Sequence, residues 1–336
     1  TPKPSSAASD VYKRQPLVSI LIPARNEEET ISGALSSHFR SFYPDYEVIL
    51  VDDGSTDETC LRAREAVQEN QTKKPLRFRI IELKNAEEGW SGKVYAMERG
   101  LREARGEYIL FTDADIVWEP SLLRSLARES VSEALGLNSR MALLSAENFW
   151  EKLLVPAFLF FFCILYPFRS VARKESKVAA AAGGCMLVAR KVLESLGGLS
   201  RIKEAIIDDI ALAKLVKGAG YPVRLCLSRR LQSIRRYRRL RDFWRTVTRT
   251  AFTELKFSFM RLALATAGLT VAFLVPVFGL FVGFLRSADT TLILSVTSLL
   301  LSWLLYLPSV RALGVFPGYI FLLQLAGFLY SVSYIH

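Results

Sequence analysis

The chain has 336 residues, a formal net charge of +11 and four cysteines, and 51% of its residues are hydrophobic. This length allows one large α/β domain of about 250 residues and a smaller region beside it. The cysteines show no C-x-x-C spacing, which argues against a disulfide scaffold and against a cysteine-based zinc site.

The first 15 residues are rich in Ser, Ala and Pro and lack the apolar core of a signal peptide. We therefore expect residues 1–15 to be a non-native or disordered leader that precedes the first strand.

Short strand-like runs then alternate with helical patterns. Strands are predicted at 17–22, 46–51, 77–83 and 107–112, with helices near 57–69 and 91–104. This alternation predicts an α/β fold with a doubly wound, mostly parallel sheet. A G-x-G-x-x-G turn is missing after the first strand, so a dinucleotide-binding Rossmann domain loses most of its support.

Acidic residues end two of these strands. Asp52 and Asp53 follow one strand, and Asp113 and Asp115 follow another. Ligands of open parallel sheets bind beyond the carboxyl ends of the strands, so we expect these acids to share one site. Asp113 and Asp115 suit a hard cation such as Mg²⁺ or Mn²⁺, although a helix cap and a solvated turn would also favour Asp. The pattern indicates a metal-dependent enzyme that acts on a nucleotide diphosphate.

After Asp115 the pattern becomes more irregular. A helix is predicted at 119–131, a strand at 141–146, a turn entering a strand at 183–188 and a helix from Asp208 to Gly218. Between them, 153–168 is apolar and aromatic, contains Pro156 and is short for a membrane crossing. We interpret it as an interfacial or re-entrant element in preference to a buried core helix.

The C-terminal part has the composition of a membrane region. Residues 235–261 predict a basic amphipathic helix at a membrane surface, and about three crossings are predicted within 262–336, at 262–285, 290–307 and 312–335. Before residue 262 there are 42 basic and 32 acidic residues, which favours a cytoplasmic catalytic domain and anionic lipid, rather than nucleic acid, as the partner. Because the chain stops inside an apolar run, we expect a C-terminal truncation.

Four segments together resemble the inverting family 2 glycosyltransferases of the GT-A fold, over residues 17 to 260. They are Pro23-Ala24-Arg25-Asn26-Glu27-Glu28, Val51 to Asp57, Thr112-Asp113-Ala114-Asp115 and Asp208-Asp209. Within that group, three further segments resemble the hopene-associated glycosyltransferases: Gly89-Trp90-Ser91-Gly92-Lys93, Pro156 to Phe168 and Arg249-Thr250-Ala251-Phe252.

The resemblance implies a role for each matching residue. Asp209 would be the catalytic base, and Asp113 and Asp115 would hold Mg²⁺ or Mn²⁺. Donor binding would fall to Pro23, Arg25, Glu27, Asp53, Lys93 and Asp113, and the acceptor side to Gly184, Asp208, Gln232, Arg235 and Arg236. The alternative for Arg25 and Lys93 is ordinary surface charge, and for Asp208-Asp209 it is a helix N-terminus that favours acids.

One family motif is only partly present. Processive members carry Gln-x-x-Arg-Trp, whereas Gln232-Ser233-Ile234-Arg235 is followed here by Arg236. A single transfer is therefore favoured over repeated chain extension. His38 has no Cys or acidic ligand spacing around it, and we expect it at the surface.

The resulting hypothesis is a catalytic domain at 16–234, anchored to the bacterial inner membrane and facing the cytoplasm. It would transfer a sugar from a nucleotide diphosphate sugar to a lipid acceptor, and a UDP-sugar is the first candidate for the donor. The family resemblance suggests a hopanoid-related lipid as the acceptor. The alternatives are a polyprenyl-phosphate sugar transferase, a polysaccharide synthase and, from another class, an inactive nucleotide-binding membrane scaffold.

Overall fold

The computed structural model describes residues 15–71, 76–84, 86–237, 239–244 and 258–333. The chain divides into two compact units, one made of Thr1–Leu143 and Tyr166–Arg235, the other of Leu144–Leu165 and Arg236–His336. Nearly all of the predicted leader, and residues 238 and 245–257 of the predicted basic amphipathic helix, lie outside the described residues.

The first unit is built on an eight-stranded mixed sheet with the order β3-β2-β1-β4-β7-β6-β8-β5. The strands are β1 Val18–Ala24, β2 Tyr46–Asp52, β3 Phe78–Glu82, β4 Tyr108–Phe111, β5 Ile116–Trp118, β6 Leu137–Leu143, β7 Met186–Ala189 and β8 Val223–Ser233. Strands β1 to β4 run parallel, while β7 pairs antiparallel with both β4 and β6. The predicted doubly wound half is thus joined to a more irregular half.

Helices cover this sheet because its strands are apolar on both faces. All seven residues of β2 are buried, as are six of the seven in β1. The helices of this unit are α1 Ile31–Phe39, α2 Thr59–Gln71, α3 Gly92–Glu103, α4 Leu122–Ser132, α6 Phe168–Ala172, α7 Arg190–Ser195 and α8 Asp208–Gly218. Helix α3 lies close against the sheet, since a Cβ at Gly100 would stand 3.0 Å from Val51 Cγ2. This packing fixes the helix whose first turn enters the site.

Strand β6 begins earlier than the strand predicted at 141–146. Its first residues include Asn138, Ser139 and Arg140, all at least nine-tenths buried. Because these residues are polar, the apolar pattern of the sequence did not predict this part of the strand. Asn138 and Arg140 find their partners on helix α4: the Asn138 side-chain amide donates to Ser130 Oγ at 3.2 Å, and Arg140 pairs with Glu129. A buried strand can therefore carry polar residues where each one finds a partner.

The prediction that His38 lies at the surface is wrong. Its ring is fully buried and stacks on Trp118 with centroids 3.8 Å apart, and its Nε2 lies 3.1 Å from the carbonyl oxygen of Ile116. Burial lowers the pKa of His38 to about 3, so the ring stays neutral and acts as part of the core.

The second unit consists of apolar helices. They are α5 Phe149–Leu165, α9 Phe259–Leu269, α10 Val275–Arg286, α11 Asp289–Ala312 and α12 Leu323–Ser333, with a π turn at Thr270–Leu274 joining α9 to α10. Two continuous stretches, Met260–Arg286 and Asp289–Ala312, are long and apolar enough to cross a membrane, and Pro317–Val332 forms a shorter apolar helix. The first two predicted crossings correspond to these two stretches, and the third to the shorter helix.

The apolar segment predicted at 153–168 as part of the catalytic domain lies mostly in helix α5 of the second unit. Its first half is buried in a cluster with Tyr306, Leu323 and Tyr330, and the Tyr330 hydroxyl donates to the Leu154 carbonyl at 3.1 Å. Its far end is open, with Ile164 and Leu165 more than half exposed. The segment leaves the first unit because its apolar residues find their partners among the C-terminal helices; its contact with lipid stays a prediction.

Candidate active site

The loops after β1 and β2 are joined by hydrogen bonds. The Asn26 amide donates to Ser55 Oγ at 2.9 Å, and the Thr56 amide donates to Asn26 Oδ1 at 2.9 Å. The Glu27 amide donates to Thr59 Oγ1 at 2.7 Å. Asn26 has a φ of 55°, a left-handed conformation that Asn tolerates better than most residues. The two strand ends therefore form one rigid rim of the site.

Asp53 lies in this rim beside helix α3. Its carboxylate is 3.5 Å from Arg25 Nη1, and only 9% of its side chain is exposed. Burial raises the pKa of Asp53, while the Arg25 guanidinium opposes this shift. A Cβ at Gly92 would stand 2.3 Å from Asp53 Oδ2, so the carboxylate rests directly on the start of the helix. Asp53 can occupy this position only because residue 92 is a glycine, which leaves space for the carboxylate.

Lys93, the next residue, connects acids from two distant parts of the chain. Its Nζ lies 2.8 Å from Asp113 Oδ1 and 3.1 Å from Asp208 Oδ1. Although burial works against the charged form, Asp113, Asp208 and Asp209 together raise the pKa of the Lys93 ammonium. The geometry thus shows Lys93, whose side chain is 38% exposed, as the central cation of an acidic cluster, while its contact with the donor stays a prediction.

Asp209 belongs to the same cluster. Its Oδ2 accepts a hydrogen bond from the Gly183 amide at 2.8 Å, and its Oδ1 accepts one from the Ile210 amide at 2.7 Å. A Cβ at Gly183 would stand 3.2 Å from Lys93 Nζ, 3.3 Å from Asp113 Oδ2 and 3.6 Å from Asp209 Oδ2. The three side chains therefore converge on one glycine.

The electrostatics of Asp209 suit a proton acceptor. Burial raises the pKa of Asp209, and the neighbouring Asp208 carboxylate raises it further, against the opposing effects of Lys93 and the two amides. Asp208 itself has a buried Oδ2 for which the described residues supply no hydrogen-bond partner. Two carboxylates in such surroundings give one of them a raised affinity for a proton.

Asp115 lies in the turn that follows β4, two residues after Asp113. Its Oδ2 accepts a hydrogen bond from Ser233 Oγ at 2.6 Å and lies 3.3 Å from Arg235 Nε. The same guanidinium pairs with Glu27 of the β1 loop. Arg235 thus joins the end of β8 to the Asp113-x-Asp115 turn and to the first loop.

The donor set at this turn fits a divalent cation. Asp113 and Asp115 offer hard oxygen ligands, and Mg²⁺ is commonly held by one or two carboxylates plus substrate phosphates. Within the described ranges, no group of three or more His, Cys, Asp or Glu could hold a metal ion by itself. A bound ion would accordingly need oxygens from a ligand to complete its coordination.

The remaining predicted residues are placed less centrally. Gln232 is exposed on β8, and Gly184 accepts a hydrogen bond from Thr112 Oγ1 at 2.8 Å through its carbonyl. Pro23 stands in β1, opposite Val51. Arg236 belongs to the second unit, where it pairs with Glu147 at 3.2 Å. Their roles in binding stay predictions.

Sequence reasoning missed three residues that shape the site. Ser233 holds Asp115, Gly183 holds Asp209 through its amide, and Gly92 leaves space for Asp53. Ser233 sits inside the Gln232 to Arg235 motif, and Gly92 precedes Lys93 in its own motif, so both stood in segments already singled out. Gly183 begins the turn predicted at 183–188, beside Gly184, but its contact with Asp209 depends on how α8 packs, which that pattern does not reveal.

Comparison with known proteins supports the same picture. The profile of glycosyl transferase family 21 matches residues 2–335. The beta-monoglucosyldiacylglycerol synthase of Nostoc sp. is 28% identical over 214 residues, which cover 62% of this chain and 43% of that protein. The dodecaprenyl-phosphate galacturonate synthase of Rhizobium johnstonii is 32% identical over 123 residues, which cover 36% of this chain and 34% of that protein. The first curated relatives are matched over only 22% to 43% of their length.

A solved structure shares the fold. The mannosyltransferase PcManGT from Pyrobaculum calidifontis, in complex with GDP-Man and Mn²⁺, superposes with a TM-score of 0.56 at 18% identity and covers 98% of this chain and 92% of that one. The predicted GT-A fold is confirmed, and so is the predicted resemblance to family 2 at the level of a family 2-like glycosyltransferase. The chain belongs to glycosyl transferase family 21.

Proposed function

We propose that this chain is a membrane-anchored inverting glycosyltransferase that moves a sugar from a nucleotide diphosphate sugar to the hydroxyl of a lipid. The observation that carries the proposal is the convergence of Lys93, Asp113 and Asp209 on Gly183. It would bring a donor-side acid, a donor-side cation and a candidate base within reach of one reacting centre.

The donor would bind along the rim formed by the first two loops. Asp53 would accept hydrogen bonds from the base or ribose, with Pro23, Arg25 and Glu27 around the nucleotide. A UDP-sugar is the first candidate for this donor, on the basis of the family resemblance. The rim is suited to this role because its loops are already fixed by hydrogen bonds, so less ordering is needed on binding.

Asp113 and Asp115 would hold Mg²⁺ or Mn²⁺ together with the donor diphosphate. When bound, such an ion neutralises the charge that develops on the leaving diphosphate. Lys93, which lies beside Asp113, would add the positive charge of a side chain near the donor diphosphate.

Asp209 would take the proton from the acceptor hydroxyl as the hydroxyl oxygen attacks the anomeric carbon. The bond from that carbon to the diphosphate oxygen breaks on the opposite face, which inverts the centre through an oxocarbenium-like transition state. The amides of Gly183 and Ile210 orient the carboxylate for this step. Asp208 would orient Lys93 from the acceptor side.

A lipid acceptor agrees with the second unit. Two stretches there are long and apolar enough to cross a membrane, and the chain before them is basic. We therefore place the chain in the bacterial inner membrane with its catalytic unit in the cytoplasm. A hopanoid-related lipid remains our family-level suggestion for the acceptor.

A polyprenyl phosphate is the second candidate acceptor, because a relative is named as a dodecaprenyl-phosphate galacturonate synthase. Charge argues against it, since Asp208 and Asp209 would repel a phosphate nucleophile that needs no base. A neutral hydroxyl meets no such repulsion. A polysaccharide acceptor is disfavoured by the incomplete Gln-x-x-Arg-Trp motif.

The test is to incubate membranes containing the protein with labelled UDP- and GDP-sugars and extracted lipids. Label in a neutral glycolipid, sensitive to Asp209→Asn, is the expected result. That variant should still bind donor, whereas Asp53→Asn should weaken donor binding. Label in an acid-labile phosphoprenol would support the second acceptor. Equal activity of Asp209→Asn and the parent protein would refute the assignment of the base, and donor binding without transfer to any lipid would favour the inactive scaffold.

A further inference from the structure

Arg235 occupies an unusual position for an acceptor-side residue. Its guanidinium contacts two acids of the donor side, Asp115 at 3.3 Å and Glu27. Both acids are largely buried, with 11% and 16% of their side chains exposed, whereas the arginine is 44% exposed. The arginine therefore covers the acids from the solvent side.

The backbone fixes this arrangement. Strand β8 pairs antiparallel with β5, so that Ser233 stands opposite Ile116. The Ile234 amide donates to the Asp115 carbonyl at 2.9 Å, and the Arg235 amide donates to Ser233 Oγ at 3.2 Å. Arg235 thus begins from a point anchored to Asp115 itself, which makes its contact a feature of the fold.

The charges of the Asp113-x-Asp115 turn are consequently balanced on both sides. Lys93 pairs with Asp113 Oδ1 at 2.8 Å, and Arg235 pairs with Asp115 Oδ2. A divalent cation that uses Asp115 must compete with the guanidinium for this carboxylate. Charge-assisted hydrogen bonds are among the stronger polar contacts, so this competition has a measurable cost.

We propose that Arg235 is a built-in counter-ion for Asp115 that keeps divalent-ion affinity low until the donor arrives. The inference rests on the proposed function, since it takes Asp115 as a metal ligand. The donor diphosphate supplies ligands for the ion and attracts the released guanidinium, so ion and donor bind together better than separately. Arg235 is in this sense a positioning residue that couples the two.

The direction of the effect separates this role from a structural one. Replacing Arg235 by Gln removes the competing charge, so Mn²⁺ should bind the donor-free protein about three- to tenfold more tightly, a range set by a half-exposed, charge-assisted pair. The gain in Mn²⁺ affinity on adding UDP should shrink by a similar factor. Arg235→Lys, which keeps the charge, should stay near the parent protein. A residue that only supports the fold would weaken Mn²⁺ binding when replaced.

The experiment uses the full chain in detergent and follows free Mn²⁺ by electron paramagnetic resonance, with and without UDP. Arg230→Gln is the matched control, because it removes an arginine charge of strand β8 from a pair with Glu119 that is exposed on both sides. Asp115→Asn tests the metal site itself and should weaken binding in every background.

The outcomes are distinguishable. Tighter donor-free binding in Arg235→Gln alone supports the inference. Unchanged or weaker binding in that variant, with Asp115→Asn still weakened, overturns the inference and leaves the proposed function standing. If no variant binds Mn²⁺ even with UDP, the metal role in the proposed function fails and the counter-ion role fails with it.

Discussion

Gly92→Ala should weaken nucleotide binding without harming the fold. The new methyl group would stand 2.3 Å from Asp53 Oδ2 and 3.2 Å from its Cγ. Ordinary contacts of this kind are about 3.4 Å, so the carboxylate must move by about 1 Å. Asp53 is buried against the helix, and such a shift would break the charged hydrogen bond that we propose between Asp53 and the nucleotide.

The expected cost in binding is about 1.5–3 kcal/mol, the range for hydrogen bonds to charged groups. This corresponds to a roughly 10- to 100-fold higher Kd for UDP, at about 1.4 kcal/mol for each factor of ten. Alanine has the better helix propensity, so the melting temperature should stay level or rise slightly.

Isothermal titration with UDP and Mn²⁺, beside thermal unfolding, checks both parts. Gly218→Ala is the matched control, since a Cβ at this helical glycine meets nothing within 4 Å. A double variant with Asp53→Asn should bind UDP no more weakly than the weaker single variant, because both act through one carboxylate. If Gly92→Ala binds UDP as tightly as the parent protein, the assignment of Asp53 to the donor pocket is wrong.

Four further predictions concern charge and packing. Because the pKa of Asp209 is raised, kcat should fall on acidification at a pH above the ordinary carboxyl pKa of 3.8, as the base becomes protonated. The affinity for UDP should change less, and a fall in kcat only near the ordinary carboxyl pKa would contradict the assignment. The ionised form of such a group destabilises the folded state at high pH, so Asp209→Asn should raise the melting temperature at pH 8 more than at pH 5. Lys93→Met leaves Asp113, Asp208 and Asp209 without their shared cation and should lose about 1–2 kcal/mol of stability at pH 8. This loss should narrow toward pH 5 as Asp209, whose pKa is raised, gains a proton, whereas a pH-independent loss would point to packing alone. Gly283→Leu should cost about 1–3 kcal/mol of stability through overpacking and so lower the melting temperature in detergent, since a Cβ there stands 2.8 Å from Leu292 Cγ. Gly268→Leu is the control, because a Cβ there has open space around it and the melting temperature should not fall.

The parallel half of the fold could be predicted because its signals are local. Strands β1 to β4 are short apolar runs separated by helical patterns, and their boundaries fall within a few residues of those predicted. Strand β6 escaped because its polar residues are satisfied by partners on another element, which no local pattern reveals. His38 escaped for a related reason: its burial depends on Trp118, 80 positions away in the chain.

The site followed the same division. The expectation that Asp53 and Asp113 share an edge came from their positions at the carboxyl ends of parallel strands, and in the described sheet only β1 lies between β2 and β4. The position of Lys93 between Asp113 and Asp208 required knowledge of how α3 and α8 approach each other across that edge. A motif can name the charged residues of a site, whereas which of them are paired depends on long-range packing.

The charge count of the cluster explains why a nucleotide sugar should need a cation to bind. Lys93 faces Asp113, Asp208 and Asp209, so one positive charge stands against three acids, and the single proton that Asp209 binds more readily than an ordinary carboxyl reduces the excess only in part. A diphosphate that approached this edge alone would be repelled. The same excess leaves a neutral hydroxyl unaffected and gives it a proton acceptor. In the proposed function, this one cluster would thus favour a charged donor that arrives with a cation and an uncharged acceptor that arrives without one.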